Sequence, residues 1–206
     1  MKLKSIAEII GVKGSFSDIE INWLLTDSRS LTFPDETLFF AIRTQRNNGH
    51  DYIAELYQQN VRFFVVSEVS TAFSDLECAV FLKVDNTLLA LQQVAAAQRK
   101  SVNIPIVGIT GSNGKTIVKE WLYQLLHTDY TIVRSPRSYN SQIGVPLSVW
   151  ALTPATELGI FEAGISEPGE MQKLEAVIEP TIGIFTNLGE AHQINFHSIK
   201  QKCVVN

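Results

Sequence analysis

The residues with the clearest capacity for chemistry lie in Gly111-Ser112-Asn113-Gly114-Lys115-Thr116. They follow an apolar, β-branched run, Ile104, Ile106, Val107 and Ile109, of the kind that forms a strand buried on both faces. Beyond Lys115-Thr116 the chain continues to Leu126 with Ile117, Trp121, Leu122, Leu125 and Leu126 at helical spacing, the apolar stripe of a helix. Strand, glycine loop and helix opening on Lys-Thr together read as a phosphate-binding loop. Glycines let backbone N–H groups curl around phosphate oxygens, and the helix N-terminus adds its partial positive charge. Lys115 would reach the β- and γ-phosphates of a nucleotide, and the Thr116 hydroxyl would ligate Mg²⁺. The glycines fall at Gly108 and Gly111, whereas the general pattern asks for one where Ile109 stands. The competing reading is a tight strand-to-helix turn that ends in Lys-Thr by accident.

Ligands in parallel α/β sheets bind just beyond strand ends, so polar residues that follow apolar strands are the next candidates. Glu162 ends the strand Leu158–Ala163 in apolar company, where a carboxylate either joins Thr116 on Mg²⁺ or caps the next helix. Asn187, Glu190 and His192 follow the strand Thr181–Thr186 in the same manner, and His192 is as much a candidate metal ligand as a structural residue. In the polar loop Ser138–Gln142, Asn140 and Ser141 either donate to a substrate or cap the helix that contains Pro146.

These residues need a scaffold, and 206 residues suffice for one large domain or two small ones. A hydrophobic content of 45% with 18% charged residues is that of a soluble globular chain, and no run approaches membrane-spanning length. A formal net charge of −4 argues against nucleic acid or an acidic membrane as partner, because no basic surplus exists to neutralise phosphates. Cys78 and Cys203 form no CxxC pair, which suggests neither a disulfide framework nor a structural zinc. Met1–Ser5 lacks the apolar core of a signal peptide, so the expected compartment is the cytoplasm.

The first half reads as a short helix over Ile6–Ile10 closed by Gly11, then strands at Ile21–Leu25 and Thr37–Ile42. The polar cluster Thr26-Asp27-Ser28-Arg29 between them predicts a turn with local capping. A helix from Gly49 to about Gln59, strands at Arg62–Val66 and Val80–Val84, and a helix over Thr87–Arg99 follow. The polar stretch Gln98–Asn103 suggests a boundary near residue 100. From there strands and helices alternate: strand Ile104–Thr110, helix 115–127, strand Tyr130–Val133, helix near Val145–Leu152, strand Leu158–Ala163, a helix after Pro168, and strand Thr181–Thr186. Such alternation implies right-handed crossovers and a mainly parallel sheet.

Taken jointly, Gly111–Thr116, Asn140-Ser-Gln-Ile-Gly-Val-Pro146, Glu162-Ala-Gly164 and Asn187-Leu-Gly-Glu-Ala-His192 resemble, in order and spacing, the Mur ligases of peptidoglycan synthesis. Upstream, Thr26–Arg29, Leu38–Ile42 and Gly49-His50-Asp51 resemble that family's uridine-nucleotide-binding domain. The resemblance implies a small N-terminal α/β UDP-binding domain over 1–100 and, over 101–206, the first part of a P-loop-type parallel-sheet ATPase domain. It points most strongly to the branch that joins D-alanyl-D-alanine to UDP-N-acetylmuramoyl tripeptide through an acyl phosphate, at the expense of ATP.

On that resemblance Lys115, Glu162 and His192 are the catalytic residues, and Gly111, Ser112, Asn113, Gly114, Lys115 and Thr116 bind ATP. Thr116 and Glu162 serve one Mg²⁺ and His192 a second. Ser28 and Arg29 contact the uridine diphosphate, and Asn140 and Ser141 the muramoyl part. Arg29 also suits phosphate on chemical grounds, since its planar fork matches phosphate oxygens.

The resemblance further implies a C-terminal domain beyond Asn206 and a Mg²⁺-linked lysine at or near Asn206, with Lys202 out of register. This leads to the expectation of a fragment, comparable to the front of a ligase fused to an alanine racemase, that self-associates through an open sheet edge. A folylpolyglutamate-synthase-like ligase and a non-catalytic nucleotide-binding module are the alternatives.

Overall fold

The computed structural model describes residues 1–73, 76–164, 167 and 169–187. The chain divides into two compact units, Met1–Val94 and Ala95–Asn206. In the first unit, helix α1 (Leu3–Ile9) ends before Gly11, whose φ of +74° suits glycine at a helix end. Strands β1 (Trp23–Leu25) and β2 (Thr37–Phe40) follow, then a 3₁₀ turn at Gly49–Tyr52 leading into α2 (Ile53–Gln58), β3 (Phe63–Val66) and β4 (Val80–Lys83). The four strands pair in parallel in the order β1-β2-β3-β4. Every residue of β2 and β3 is buried, which is why these central strands are apolar runs rather than alternating ones. Phe64 anchors the core, stacked on Phe81 with centroids 5.3 Å apart and edge-on to Phe39 at 6.4 Å.

Helix α3 (Thr87–Lys100) carries the division within it, earlier than the expected boundary near residue 100. The polar residues that suggest a linker are instead ties within the second unit. Gln98 Nε2 donates to the Leu152 carbonyl at 2.6 Å, and the buried Arg99 guanidinium donates to the carbonyls of Ile178, Val102 and Glu179. Two of those carbonyls close a helix C-terminus, where a cation is favoured.

The second unit continues with β5 (Ile106–Thr110), α4 (Lys115–Leu126), β6 (Ile132–Arg134), α5 (Gly144–Trp150), β7 (Leu158–Glu162), α6 (Glu170–Ile178) and β8 (Ile182–Phe185). Its strands are all parallel, in the order β6-β7-β5-β8. On one face Val107, Ile109, Leu158 and Ile160 pack against Val118, Leu122 and Leu126 of α4. On the other, Ile106 and Phe161 pack with Val145, Val149, Leu174 and Val177 of α5 and α6. The chain leaves β5 toward β6 on one side and reaches β8 on the other, so the crevice where strand order reverses opens at the C-terminal ends of β5 and β7.

Helix α4 is rotated relative to the stripe visible in the sequence. Ile117, Trp121 and Leu125 are 56%, 63% and 72% exposed, whereas Val118, Leu122 and Leu126 face the sheet. Two overlapping apolar stripes fit one helical period, and the polar contacts of the neighbouring Thr116 and Lys119 select between them. Among the described residues β8 is an edge strand, with Ile182 and Phe185 half exposed, and no helix is long and apolar enough to cross a membrane.

One buried histidine makes the first unit sensitive to pH. His50 Nδ1 lies 2.9 Å from Asn48 Oδ1, and the Ser67 N–H donates to Nε2 at 3.1 Å, which fits a neutral ring protonated on Nδ1. Burial pushes the imidazole below its ordinary value of 6.5; Glu68 and Asp51 oppose that shift, and Arg43 reinforces it. Below 6.5 the unfolded chain therefore binds a proton that the folded chain resists. The stability from this neutral histidine is complete above pH 6.5 and declines as pH falls through the lower folded value. Urea unfolding on either side of that pH should show the loss, and His50→Gln should flatten it.

Candidate functional site

The phosphate-loop residues close on one another at the crevice. The loop leaves β5 at Gly111 with φ +129° and enters α4 at Gly114 with φ +82°, backbone that L-residues with side chains rarely adopt. A Cβ at Gly111 would lie 2.2 Å from Thr186 Oγ1 and 2.9 Å from the Asn187 carbonyl. That crowding reflects a staple from the end of β8. Ser112 N–H donates to the Asn187 carbonyl at 2.8 Å, and Asn113 N–H to Asn187 Oδ1 at 2.9 Å. Thr186 Oγ1 in turn donates to the Asn113 carbonyl at 2.6 Å. Two loop amides that the sequence assigns to phosphate are thus engaged by Asn187. Lys115 folds back over the loop, its ammonium donating to the Gly111 carbonyl at 2.6 Å.

The register of β5 with β7 pairs Ile109 with Glu162, which sets the carboxylate beside the loop. Glu162 is fully buried, and its Oε2 accepts from the Thr116 hydroxyl at 3.0 Å. Oε1 lies 2.9 Å from the ammonium of the equally buried Lys119, yet no hydrogen bond of good geometry reaches that oxygen. The distance establishes the ion pair; the alignment leaves accepting capacity on the carboxylate. A hydroxyl and an under-satisfied buried carboxylate are hard oxygen donors that fit Mg²⁺, which takes few protein ligands and completes its shell with water and phosphate oxygens. Among the described residues no group of three His, Cys, Asp or Glu gathers to hold a metal. Glu190, His192, Lys202 and the expected lysine position at Asn206 lie outside the described residues.

Asn140 lines the same cleft, of about 320 Å³, together with Ser112, Asn113, Gly114, Lys115, Thr116 and Ile117. Its side-chain amide lies against Gly164, where a Cβ would come within 2.8 Å of it, and its backbone carbonyl accepts from Gly164 N–H. Ser141 is used differently: its Oγ accepts from the Gly144 N–H at 3.1 Å at the start of α5. Of the pair Asn140 and Ser141, the structure turns the first to the cleft and the second to capping.

Ser28 and Arg29 lie in the first unit, in a cleft of about 410 Å³ shared with Thr26, Asp27, Arg46, Asn47 and Tyr52. Asp27 caps the 3₁₀ turn Ser28–Ser30 by accepting from Arg29 N–H, as its place at the strand end suggests. It also grips the Arg29 side chain, with Nε to Oδ1 at 2.9 Å and an Nη to Oδ2 at 2.6 Å. The hydrogen bond from Arg29 holds the Asp27 carboxyl below its usual range and raises the guanidinium in return. A phosphate at this cleft would share Arg29 with Asp27. Arg46 and Asn47 are the residues that sequence reasoning passed over; their signal was a polar loop, Arg43–Asn48, between two buried segments.

A parallel sheet with a Gly-Lys-Thr loop at its switch point, facing a buried carboxylate on the adjacent strand, is an α/β arrangement suited to phosphate groups. Residues 109–202 match the model of the Mur ligase middle domain. The chain is similar to several UDP-N-acetylmuramoyl-tripeptide–D-alanyl-D-alanine ligases. It is 34% identical to the one from Bacillus subtilis over 92% of this chain and 41% of the relative. It is 35% identical to the one from Synechocystis, over 89% and 40% of the two chains. Among solved structures, MurF from Acinetobacter baumannii shares the fold with a TM-score of 0.87 at 22% identity, covering 99% of this chain and 44% of that one. The MurF ligase from Thermotoga maritima in complex with ADP matches with a TM-score of 0.79 at 25% identity, over 92% and 43%. The chain spans about two fifths of the curated relatives it matches.

The Gly111 geometry yields a direct test. Gly111→Ala forces a side chain into Thr186 and a left-handed φ, and should lower stability by about 1–3 kcal/mol. Gly183→Ala on β8 meets nothing within 4 Å and should be near neutral. Urea unfolding of the two variants checks the contrast.

Proposed function

We propose that this chain supplies the UDP-sugar-peptide-binding unit (Met1–Val94) and the first part of the ATP-binding unit (Ala95–Asn206) of a ligase. The whole enzyme joins D-alanyl-D-alanine to UDP-N-acetylmuramoyl tripeptide. The observation that carries this reading is the contact of the Thr116 hydroxyl with the buried Glu162 at the mouth of the phosphate loop, with Asn140 lining the same cleft. The names of the relatives supply the substrates.

In this reading the carboxylate of the tripeptide attacks the γ-phosphorus of ATP, releasing ADP and leaving an acyl phosphate. The amine of D-alanyl-D-alanine then adds to the acyl carbon. The tetrahedral intermediate loses phosphate and a proton to give the amide. Lys115, on leaving the Gly111 carbonyl, neutralises charge on the transferring phosphoryl group, the main electrostatic task in such transfers. Thr116 and Glu162 would hold Mg²⁺, which adds positive charge at the same phosphates; His192 is assigned to a second ion by family resemblance. Asn187 must yield the Ser112 and Asn113 amides for them to reach phosphate. Asn140 orients the muramoyl part from the rim of the cleft, Ser141 acts by fixing α5, and Ser28 and Arg29, with Arg46 beside them, take the diphosphate of the UDP-sugar.

These substrates, a nucleotide-activated sugar peptide and ATP, fit a cytoplasmic enzyme. Strand β8, half exposed and at the edge of the sheet among the described residues, also supports self-association of this chain. Light scattering should then show dimers or larger species, and a monodisperse monomer would refute it.

Calorimetric titration tests the assignment. The chain should bind UDP-N-acetylmuramoyl tripeptide, with Arg29→Ala weakening it by about tenfold or more, and should bind ADP with Mg²⁺ in a manner lost in Lys115→Ala. ADP binding combined with indifference to the UDP-peptide would favour a nucleotide-binding module instead.

A further inference from the structure

Lys119 is a buried charge with no place in the reading above. It sits one turn beyond Thr116 on the sheet-facing side of α4 and is fully buried. Its ammonium lies 2.9 Å from Glu162 Oε1 and 3.3 Å from Glu120 Oε1. It also donates to the Ser135 carbonyl at 2.8 Å and to the Arg137 carbonyl. Its neighbours Val118 and Leu122 belong to an apolar seam between helix and sheet, where a methionine would fill the same space without desolvating an ammonium. Packing alone does not call for a lysine.

The partners it has chosen converge on the cleft. Glu162 is the carboxylate paired with Thr116, and its N–H donates to Ser135 Oγ at 3.1 Å. Ser135 and Arg137 begin the loop that delivers Asn140 to the phosphate loop, and Arg137 holds a left-handed φ of +50°.

We propose that Lys119 is the positioning residue of the phosphate site. It holds Glu162 by the ion pair at Oε1, which orients the carboxylate with Oε2 beside the Thr116 hydroxyl toward a divalent cation, and it fixes the 135–137 backbone from which Asn140 reaches the same cleft. Lys119 touches neither nucleotide nor metal; it acts through Glu162. The inference rests on the nucleotide reading given under the proposed function.

The test is the enhancement of ADP binding by Mg²⁺, measured by calorimetry on the full chain with and without the ion. Lys119→Met should cut that enhancement about tenfold, the usual scale for a residue that orients a metal ligand, while metal-free ADP affinity stays within about twofold. Glu162→Gln should lose the same enhancement, and the double variant should lose no more than either alone. A purely structural lysine would lower the unfolding midpoint and leave the enhancement intact, and an enhancement that grows in Lys119→Met would equally overturn the proposal.

The unmodified chain labelled with ¹⁵N-lysine gives an answer even if the variant fails to fold. The Lys119 ammonium resonance should remain protected and shift when Mg²⁺ and ADP are added, whereas its loss to rapid exchange would show that the metal takes Glu162 away from Lys119. Absence of ADP binding by the parent chain would overturn the nucleotide reading and this inference together. Binding with a Mg²⁺ enhancement that Lys119→Met leaves unchanged would overturn this inference alone.

Discussion

The second unit is built around a carboxylate that has to be satisfied inside it. Glu162 ends β7, a strand buried at all five positions, and an isolated charge there would be prohibitively costly. Its neighbours answer that cost: Thr116 on one oxygen, Lys119 at the other, and Ser135 on its backbone N–H. Meeting these contacts fixes the rotation of α4, because Thr116 and Lys119 must both face β7. That rotation sends Val118, Leu122 and Leu126 into the core and leaves Ile117, Trp121 and Leu125 facing solvent. A polar requirement, not the hydrophobic stripe, sets the helix phase.

The same requirement organises the rim of the cleft. Ser135 follows β6 directly, and its N–H pairs with the Ile160 carbonyl, so the Asn140 loop leaves the sheet in register with β7. On the other side of β5, Thr186 and Asn187 hold the phosphate loop through its own amides and a carbonyl. These contacts give the loop a defined shape, and in the proposed function phosphate would take the place of Asn187 on its amides. Preorganisation of this kind reduces the entropy lost on binding.

The first unit treats charge in the opposite way. Arg29 stays largely in solvent, and its pairing with Asp27 is local, two residues apart, made by the turn itself. Such an exposed pair adds little to stability, but it holds a planar cation at a cleft that Arg46 also lines. Buried charge shapes the second unit; solvent-facing charge equips the first.

Much of this was legible from sequence. The apolar runs of β2, β3, β5 and β7 declare strands buried on both faces, and the strand–helix alternation after residue 104 dictates a parallel sheet. Gly111 and Gly114 with Lys115-Thr116 mark the loop because only glycine tolerates the positive φ found there. Asp27 as a turn cap followed from its position at a strand end. What stayed hidden depended on partners distant in the chain. Which of two stripes α4 buries, and that Gln98 and Arg99 are ties rather than linker, were decided by carboxylates and carbonyls tens of residues away. Lys119 is the sharpest case. In sequence it is one more lysine on a helix, and only the sheet register that brings Glu162 beneath it turns it into a buried counter-charge. Local conformation is written in residue type and spacing, whereas the fate of a polar side chain is settled by what the folded chain places opposite it.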